Sequence, residues 1–464
     1  MTSEKKHISV SVVGHVDSGK STTAGRFIYE LGGIPERELE KLKEEAHELG
    51  KSSFAFAFYM DKQKQERERG ITISCTTKEF FTEKYHYTIV DCPGHRDFIR
   101  NMISGASQVD VSLLMVPADG NFTTAIAKGN HKSGEIQGQT RQHARLLKLL
   151  GVKQIIVCIN KMDVVNFSKE RYEEVKNEMV NMLTKVGYKK EVGLSTIPMV
   201  PISGWMGDNL IKKSDNMSWW KGVEVDSPKG EKIMVTTLLD ALNDFVTLPT
   251  RILDTPPRLP VSGEYKIKGV GDVITGRVEQ GKFLPGDEVV FLPTHTAIKP
   301  CSGKIFSIEM HHKRIDSAEA GDNIGLNIKD LDKLNMPRKG DIMVLKKDAT
   351  LKRCKSFTAQ VEVCDHPGEL KKGYTPIACV RTAHSAVKIT DIKWKIGKET
   401  GGKKVDAPNS IKVNEMAEIV FEPKQPFVVD LFKNCEGLGR IAIMECNSVV
   451  MLGKIVDVQF WDDA

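Results

Sequence analysis

Residues Gly14 to Ser21 read G-H-V-D-S-G-K-S and meet the spacing G-x-x-x-x-G-K-[ST]. Each residue type there has a use against a polyphosphate. Gly14 and Gly19 let the backbone curl, so that the N–H groups of His15, Val16, Asp17 and Ser18 and those of a helix starting at Lys20, Ser21 and Thr22 face one anion. Lys20 brings a mobile positive charge to the outer phosphates, and the Ser21 hydroxyl is placed to ligate Mg²⁺. Ile8 to Val13 is a short apolar, β-branched run and Ala24 to Leu31 carries helical spacing, which sets the motif between a strand and a helix, as a phosphate loop requires. A chance glycine turn is the bland alternative, and further motifs decide between them.

Three more stretches lie at the ends of apolar runs. Asp91 to Phe98 reads D-C-P-G-H-R-D-F after Thr88 to Val90. Asp91 would hold the metal through water, with Cys92 and Pro93 completing the turn; Gly94 is a hinge whose N–H can meet a γ-phosphate, and His95 can orient an attacking water. Asn160, Lys161, Met162 and Asp163 close the run Ile155 to Ile159. A carboxylate such as Asp163 accepts both guanine N1–H and N2–H, a pair adenine cannot offer, while Asn160 can meet the N7 and O6 edge and the Lys161 stem can cover the ring. Ser203, Gly204 and Trp205 follow another apolar run, where a backbone N–H can reach guanine O6 and Trp205 can border the base; core packing is the ordinary role of such a tryptophan. The segment E-R-E-R-G-I-T-I-S, Glu66 to Ser74, is weaker: its Thr72 could close on a γ-phosphate and Mg²⁺, or the stretch could be an edge strand after a charged helix end. The order of all five, each beside a strand, implies a guanine nucleotide-binding domain with GTP, GDP and Mg²⁺ as its ligands.

The elements that must position these residues follow from hydrophobic patterning. Tyr87 to Val90, Val109 to Val116, Gln154 to Ile159 and Pro198 to Ile202 read as buried strands separated by amphipathic helices, the grammar of a parallel sheet wrapped by helices. Leu248 to Pro260 holds four prolines and cannot continue a helix. Beyond it come short β-branched runs punctuated by glycine and proline, as at Asp272 to Val278 and Gly286 to Leu292, which argue for antiparallel barrels. The expected architecture is an α/β phosphate-loop domain over 1–248, a linker over 249–260, and two β-barrels over 261–350 and 351–464.

Composition limits the function classes. The chain has 464 residues, 40% hydrophobic and 28% charged, with a formal charge of +6 that permits an acidic partner without demanding one. Nine cysteines occur with no C-x-x-C pair, so neither a zinc site nor a disulfide framework is expected. No apolar run approaches the ~20 residues needed to cross a bilayer, and the amino terminus passes directly into a strand. A cytoplasmic location with no membrane partner is the expectation.

The motif set E-R-E-R-G-I-T-I, D-C-P-G-H-R-D-F, N-K-M-D and S-G-W resembles the translational GTPases and is similar to the elongation factor 1-alpha family; S-G-W-M-G-D-N and G-D-V-I-T-G-R-V-E-Q-G at 271–281 look most like its elongation-factor-like branch. The resemblance implies GTP-dependent delivery of aminoacyl-tRNA to the ribosome, an exchange factor and a monomer. It implies that Glu309 borders the terminal adenosine, that His311 and Asn323 sit beside the esterified amino acid, that Arg277 and Glu279 line the adjoining strand, and that Arg100 and Asn101 grip the 5′ end of the tRNA. It also implies an apolar gate of Val16 and Ile71 that keeps His95 out until the ribosome admits it. The segment 121–139 is longer than the usual family segment and is expected to be a flexible surface loop, and Cys92 stands where eukaryotic members usually carry alanine. A release or ribosome-rescue GTPase, and a GTPase subunit of a sulfate-activating complex, are the rival readings.

Overall fold

The structure is a computed structural model that describes residues 5–128, 137–188, 195–292, 300–311, 313–364 and 366–461. It divides into two compact units, 1–249 and 250–464. In the first, β1 (Lys6–Gly14), β2 (Thr76–Phe81), β3 (Tyr85–Asp91), β4 (Val111–Pro117), β5 (Gln154–Asn160) and β6 (Met199–Pro201) form one sheet in the order β2-β3-β1-β4-β5-β6. All pairings are parallel except β2 with β3. The edge strand β2 and the small hairpin of Val223–Asp226 with Lys232–Val235 were not foreseen. β2 alternates buried and exposed residues only partly and gives a weak period, whereas β4 and β5 are buried along their whole length. Helices on both faces explain that burial, because a parallel sheet covered twice reads as a continuous apolar run. Each Val, Ile or Leu so buried stabilises the sheet by roughly 1.5–3 kcal/mol.

β1 and β3 both end at the same edge of the sheet, with Val12 paired to Asp91. β5 ends at Asn160 beside Pro117. The motif residues therefore gather at the carboxyl ends of the strands, where open α/β sheets bind ligands.

The second unit contains two closed six-stranded barrels. In the first, Glu288–Leu292, Ile342–Leu345, Leu259–Ile267, Gly271–Arg277, Asn323–Lys329 and Cys301–Met310 pair in that order and the last returns to the first. The first of its strands begins at Leu259, so the last two residues of the proline-rich stretch belong to the barrel. The second barrel closes in the same way through Ile377–Val380 and Ala383–Ile396. Closure pairs each of the six ring strands on both sides, which is how short antiparallel strands avoid aggregation.

The barrels are one packed body. Ile342 and Val344, on a strand of the first, are fully buried in the core of the second beside Phe357, Ile419 and Phe421. Arg381 donates to Glu279 at 2.9 Å across the same boundary, with both side chains nearly buried. Gly437 must lack a side chain there, since a Cβ would stand 2.1 Å from the Glu279 carboxylate. A second buried pair joins Arg258 to Asp348, and Arg258 also donates to Thr350 Oγ1 at 2.8 Å. Arg258→Ala would leave the Asp348 charge buried without its partner. A loss of about 3–5 kcal/mol is expected, read as a lowered urea midpoint for the barrel signal.

Candidate nucleotide site

The turn after β1 folds as its glycines require. Gly19 takes φ 84, and at Gly14 a Cβ would collide with the Met115 carbonyl oxygen at 2.4 Å. The helix Lys20–Glu30 starts at once, with Lys20 and Ser21 already buried. Lys20 Nζ donates to the His15 carbonyl at 2.8 Å. Burial lowers its pKa, and the charges of Asp91, Asp17 and Asp61 oppose that shift. His15 is also held low, by burial and then by Lys20.

The loop that follows the helix Lys64–Arg69 is the second wall. Gly70 ends that helix in the left-handed region, φ 73. Glu66 then organises the loop: one carboxylate oxygen accepts from the amides of Ile73 and Ser74, both at 3.0 Å, and the other from Gln63 N–H at 3.0 Å. So held, Thr72 is buried, with its Oγ1 3.0 Å from Ser21 Oγ and donating to Asp61 Oδ1 at 3.0 Å. The third wall is the end of β3. Gly94 lies so close that a Cβ on it would stand 2.4 Å from Lys20 Nζ and 2.8 Å from the Gly14 carbonyl oxygen. Val16, Asp17, Lys20, Ser21, Thr22, Asp61, Ile71, Thr72, Gly94 and His95 thus line one open cleft.

Asp17 and Asp61 line this cleft, and the fully buried Asp91 lies beside Ser21 and Lys20. Burial pushes Asp61 up to about 7, reinforced by the Asp91 charge and eased by Thr72. Burial pushes Asp91 to about 6; Ser21 and Lys20 ease it, yet among the described residues no donor meets either Asp91 oxygen in full hydrogen-bonding geometry. Two hydroxyls and two under-compensated carboxylates are a hard, all-oxygen donor set, and they fit Mg²⁺. Asp61 was missed by the sequence reading. It follows the apolar run A-F-A-F-Y-M in a segment without clear periodicity, and only the packed helix Ala55–Met60 turns it inward.

His95 lies at the mouth, partly exposed, and its Nδ1 accepts from Asp97 N–H at 3.2 Å. The Asp97 carboxylate lies 3.4 Å from the same nitrogen.

The loops at Ser18, Asn160 and Gly204 are knitted together by one amide. Asn160 Nδ2 donates to the Ser18 carbonyl at 2.8 Å, and Asn160 Oδ1 accepts from Gly204 N–H at 2.8 Å. Asn160 therefore ties the phosphate loop to the 203–205 turn. Ser203 donates to Asp163 at 2.6 Å, which aims the carboxylate. Lys161 pairs with Asp119 at 2.8 Å, an acid the sequence reading did not single out. Met162 and Cys92 are fully buried. Trp205 is 42% exposed, edge-on to Phe56, and is not a core residue. Gly204 must be glycine, for a Cβ would stand 2.0 Å from Thr23 Oγ1.

The residues expected to meet RNA lie as follows. Arg100 is exposed on the helix Ile99–Ala106, while Asn101 donates to the Ile73 carbonyl at 2.9 Å. Arg277 pairs across the ladder with Asn323, and Glu309 pairs with Gly325 on the other side of the same strand. His311 follows at φ 49, and residue 312 lies outside the described residues. Glu279 is instead turned to Arg381. Of the long 121–139 segment, Phe122–Ile126 is a short helix and 129–136 lie outside the described residues.

Known proteins place the chain in a family. The family description "Elongation factor Tu GTP binding domain" matches residues 5–247, "Elongation factor Tu domain 2" matches 271–344, and "GTP-eEF1A C-terminal domain-like" matches 356–456. The elongation factor 1-alpha of Meyerozyma guilliermondii is 43% identical over 465 residues, covering 100% of this chain and 97% of its own. That of Plasmodium falciparum is 44% identical, covering 98% and 96%. The chain belongs to the elongation factor 1-alpha family of translational GTPases. Its fold is that of the GTP-bound GTPase-like domain of Saccharomyces cerevisiae Ski7, with TM-score 0.78, 17% identity and 98% coverage of each chain. The elongation factor SelB of Methanococcus maripaludis, bound to a GTP analogue, shares it at TM-score 0.66 and 21% identity, over 98% of this chain and 80% of that one. This family member is a GTP-hydrolysing enzyme that binds GTP and GDP, with a role in translation elongation.

Asn160→Ala breaks two buried hydrogen bonds, each worth roughly 1–3 kcal/mol when a partner is left unmet. GDP should dissociate at least ~10-fold faster, measured with a fluorescent analogue, without direct contact to the base. Because Asp61 and Asp91 must lose protons to meet a divalent cation, Mg²⁺-nucleotide binding should release protons between about pH 5.5 and 7.5. The check is calorimetry in buffers of different ionisation heat. Asp61→Asn should reduce the release.

Proposed function

We propose that this GTPase carries aminoacyl-tRNA to the ribosomal A site and lets it go when GTP is hydrolysed. The observation that carries the reading is the meeting of Ser21, Thr72 and Asp61 beside Lys20 and Gly94. Two loops distant in sequence end at the place where a terminal phosphate would lie. A phosphate there gives both loops a partner, and its loss removes a partner from both.

The reaction is phosphoryl transfer to water, in which positioning and charge stabilisation supply most of the rate. Lys20 and the loop amides would hold the outer phosphates, while Ser21, Thr72, Asp61 and Asp91 would hold Mg²⁺. The metal, when bound, supplies charge neutralisation on the phosphate oxygens. His95 would orient the water once it moves past Val16 and Ile71, the apolar residues sharing its cleft. Such a gate suits a carrier, because hydrolysis before decoding would discard the cargo.

In the barrel unit, Arg277, Asn323 and Glu309 on three adjacent strands, with His311 in the following turn, would receive the aminoacylated 3′ end. Glu279 would act on that strand through its ion pair with Arg381. Arg100 would contact the 5′ end, and Asn101 would connect that contact to Ile73 in the sensing loop. A guanine nucleotide exchange factor, a monomeric state and a cytoplasmic location complete the proposal. Among the described residues, no helix is long and apolar enough to cross a membrane.

The carrier reading predicts that the protein slows spontaneous hydrolysis of an aminoacyl-tRNA ester with GTP and not with GDP. Absence of protection with both nucleotides would select a rival GTPase. His95→Ala should leave GTP binding nearly intact and lower ribosome-stimulated hydrolysis by ~100-fold or more, the scale of a lost positioning group. Equal losses in binding and hydrolysis would contradict the role.

A further inference from the structure

Two thiols sit where the nucleotide-sensing segments meet. Thr76 opens β2 opposite Asp91 in an antiparallel ladder, so Cys75 and Cys92 face each other one step beyond it. Antiparallel neighbours have Cα atoms about 4.5–5.5 Å apart, inside the span a disulfide bridges. Gly105, on the helix Ile99–Ala106, shows how close the sulfurs come: a Cβ there would stand 2.4 Å from Cys75 Sγ and 2.9 Å from Cys92 Sγ. Cys75 donates to the Asn101 carbonyl at 3.0 Å and Cys92 to the Val90 carbonyl at 3.8 Å. Cys92 is buried and Cys75 is half-buried, so an oxidant reaches Cys75 first.

Neither thiol has a part in the phosphate chemistry, yet their positions in the chain bear on it. Cys75 follows Thr72 by three residues, and Cys92 precedes Gly94 by two. Glu66 and Asn101 hold the 71–75 loop only by hydrogen bonds, which can break when the loop is released.

We propose that Cys75 and Cys92 form a reversible disulfide that fastens the two sensing segments together and slows nucleotide release, using a hydroperoxide as oxidant. The Cys75 sulfur attacks the peroxide O–O bond, becoming a sulfenic acid as the alcohol or water leaves. The Cys92 sulfur then attacks the Cys75 sulfur, and the hydroxyl departs as water with the Cys92 proton. The peroxide is reduced, both thiols are oxidised, and a dithiol reductant reverses the bond. Disulfides of this reversible, sensing kind are those found in reducing compartments. The proposal rests on the GTPase switch alone and involves no tRNA, so its failure leaves the carrier reading standing.

The test treats the full-length protein, loaded with fluorescent GDP, with hydrogen peroxide and then alkylates it. Mass spectrometry should find the Cys75 peptide joined to the Cys92 peptide with the loss of two hydrogens. Release of the fluorescent GDP should slow about tenfold, a usual size for coupling between sites, and dithiothreitol should restore it. Cys75→Ser should show neither effect while releasing GDP at the untreated rate. The untreated and reduced wild-type protein provides the same comparison if that variant does not fold. Alkylation of both cysteines after peroxide, or a joined peptide with unchanged release, overturns the proposal.

Discussion

Asp61 and Asp91 share a buried space with a single ammonium, that of Lys20, and this imbalance is the constraint on which the rest of the nucleotide domain depends. Left alone, two acids in a low-dielectric setting bind protons to shed their charge. A divalent cation with a triphosphate would relieve the same strain differently: the cation would answer the acids, and the phosphate would answer Lys20 and the loop amides. The fold holds these groups close at a cost in stability that ligand binding offsets. Linkage then makes the occupied form the more stable one.

The same constraint explains the reach of the motifs. Thr72 touches Ser21 and Asp61 only because Glu66 gathers the amides of Ile73 and Ser74, and Gly94 reaches Lys20 only because it carries no side chain. On the base side, Asn160 joins the phosphate loop to the turn at Gly204, so loops that contact different parts of the nucleotide are mechanically one piece. The barrels follow a similar rule. Ile342 and Val344 lend one barrel's side chains to the other's core, and the Arg381–Glu279 pair crosses the same boundary.

Legibility in the sequence followed the range of the interactions. The phosphate loop was readable because G-H-V-D-S-G-K-S builds its geometry from neighbouring residues, and β4 and β5 because burial on both faces leaves an unbroken apolar run. Asp61, Asp119 and the tie at Asn160 were not readable as placed. Their partners, Thr72, Lys161, Ser18 and Gly204, lie eleven to 142 residues away, and no local period encodes such pairings. Glu279 shows the limit of reasoning by resemblance: strand position was enough to suggest a pocket, but the side chain answers to Arg381 on another barrel. Cys92 was set aside as a small buried substitute for alanine, and only the register of β2 against β3 brings Cys75 opposite it.

Amide hydrogen exchange over residues 70–76 and 91–95 tests the central coupling most directly, comparing the protein with a non-hydrolysable GTP analogue and with GDP, each with Mg²⁺. With the analogue, both segments should be protected together; with GDP, both should exchange at least ~10-fold faster, the scale of a coupling near 1.4 kcal/mol. Equal exchange in the two states, or protection of one segment without the other, would contradict an account in which a single phosphate holds Thr72 and Gly94.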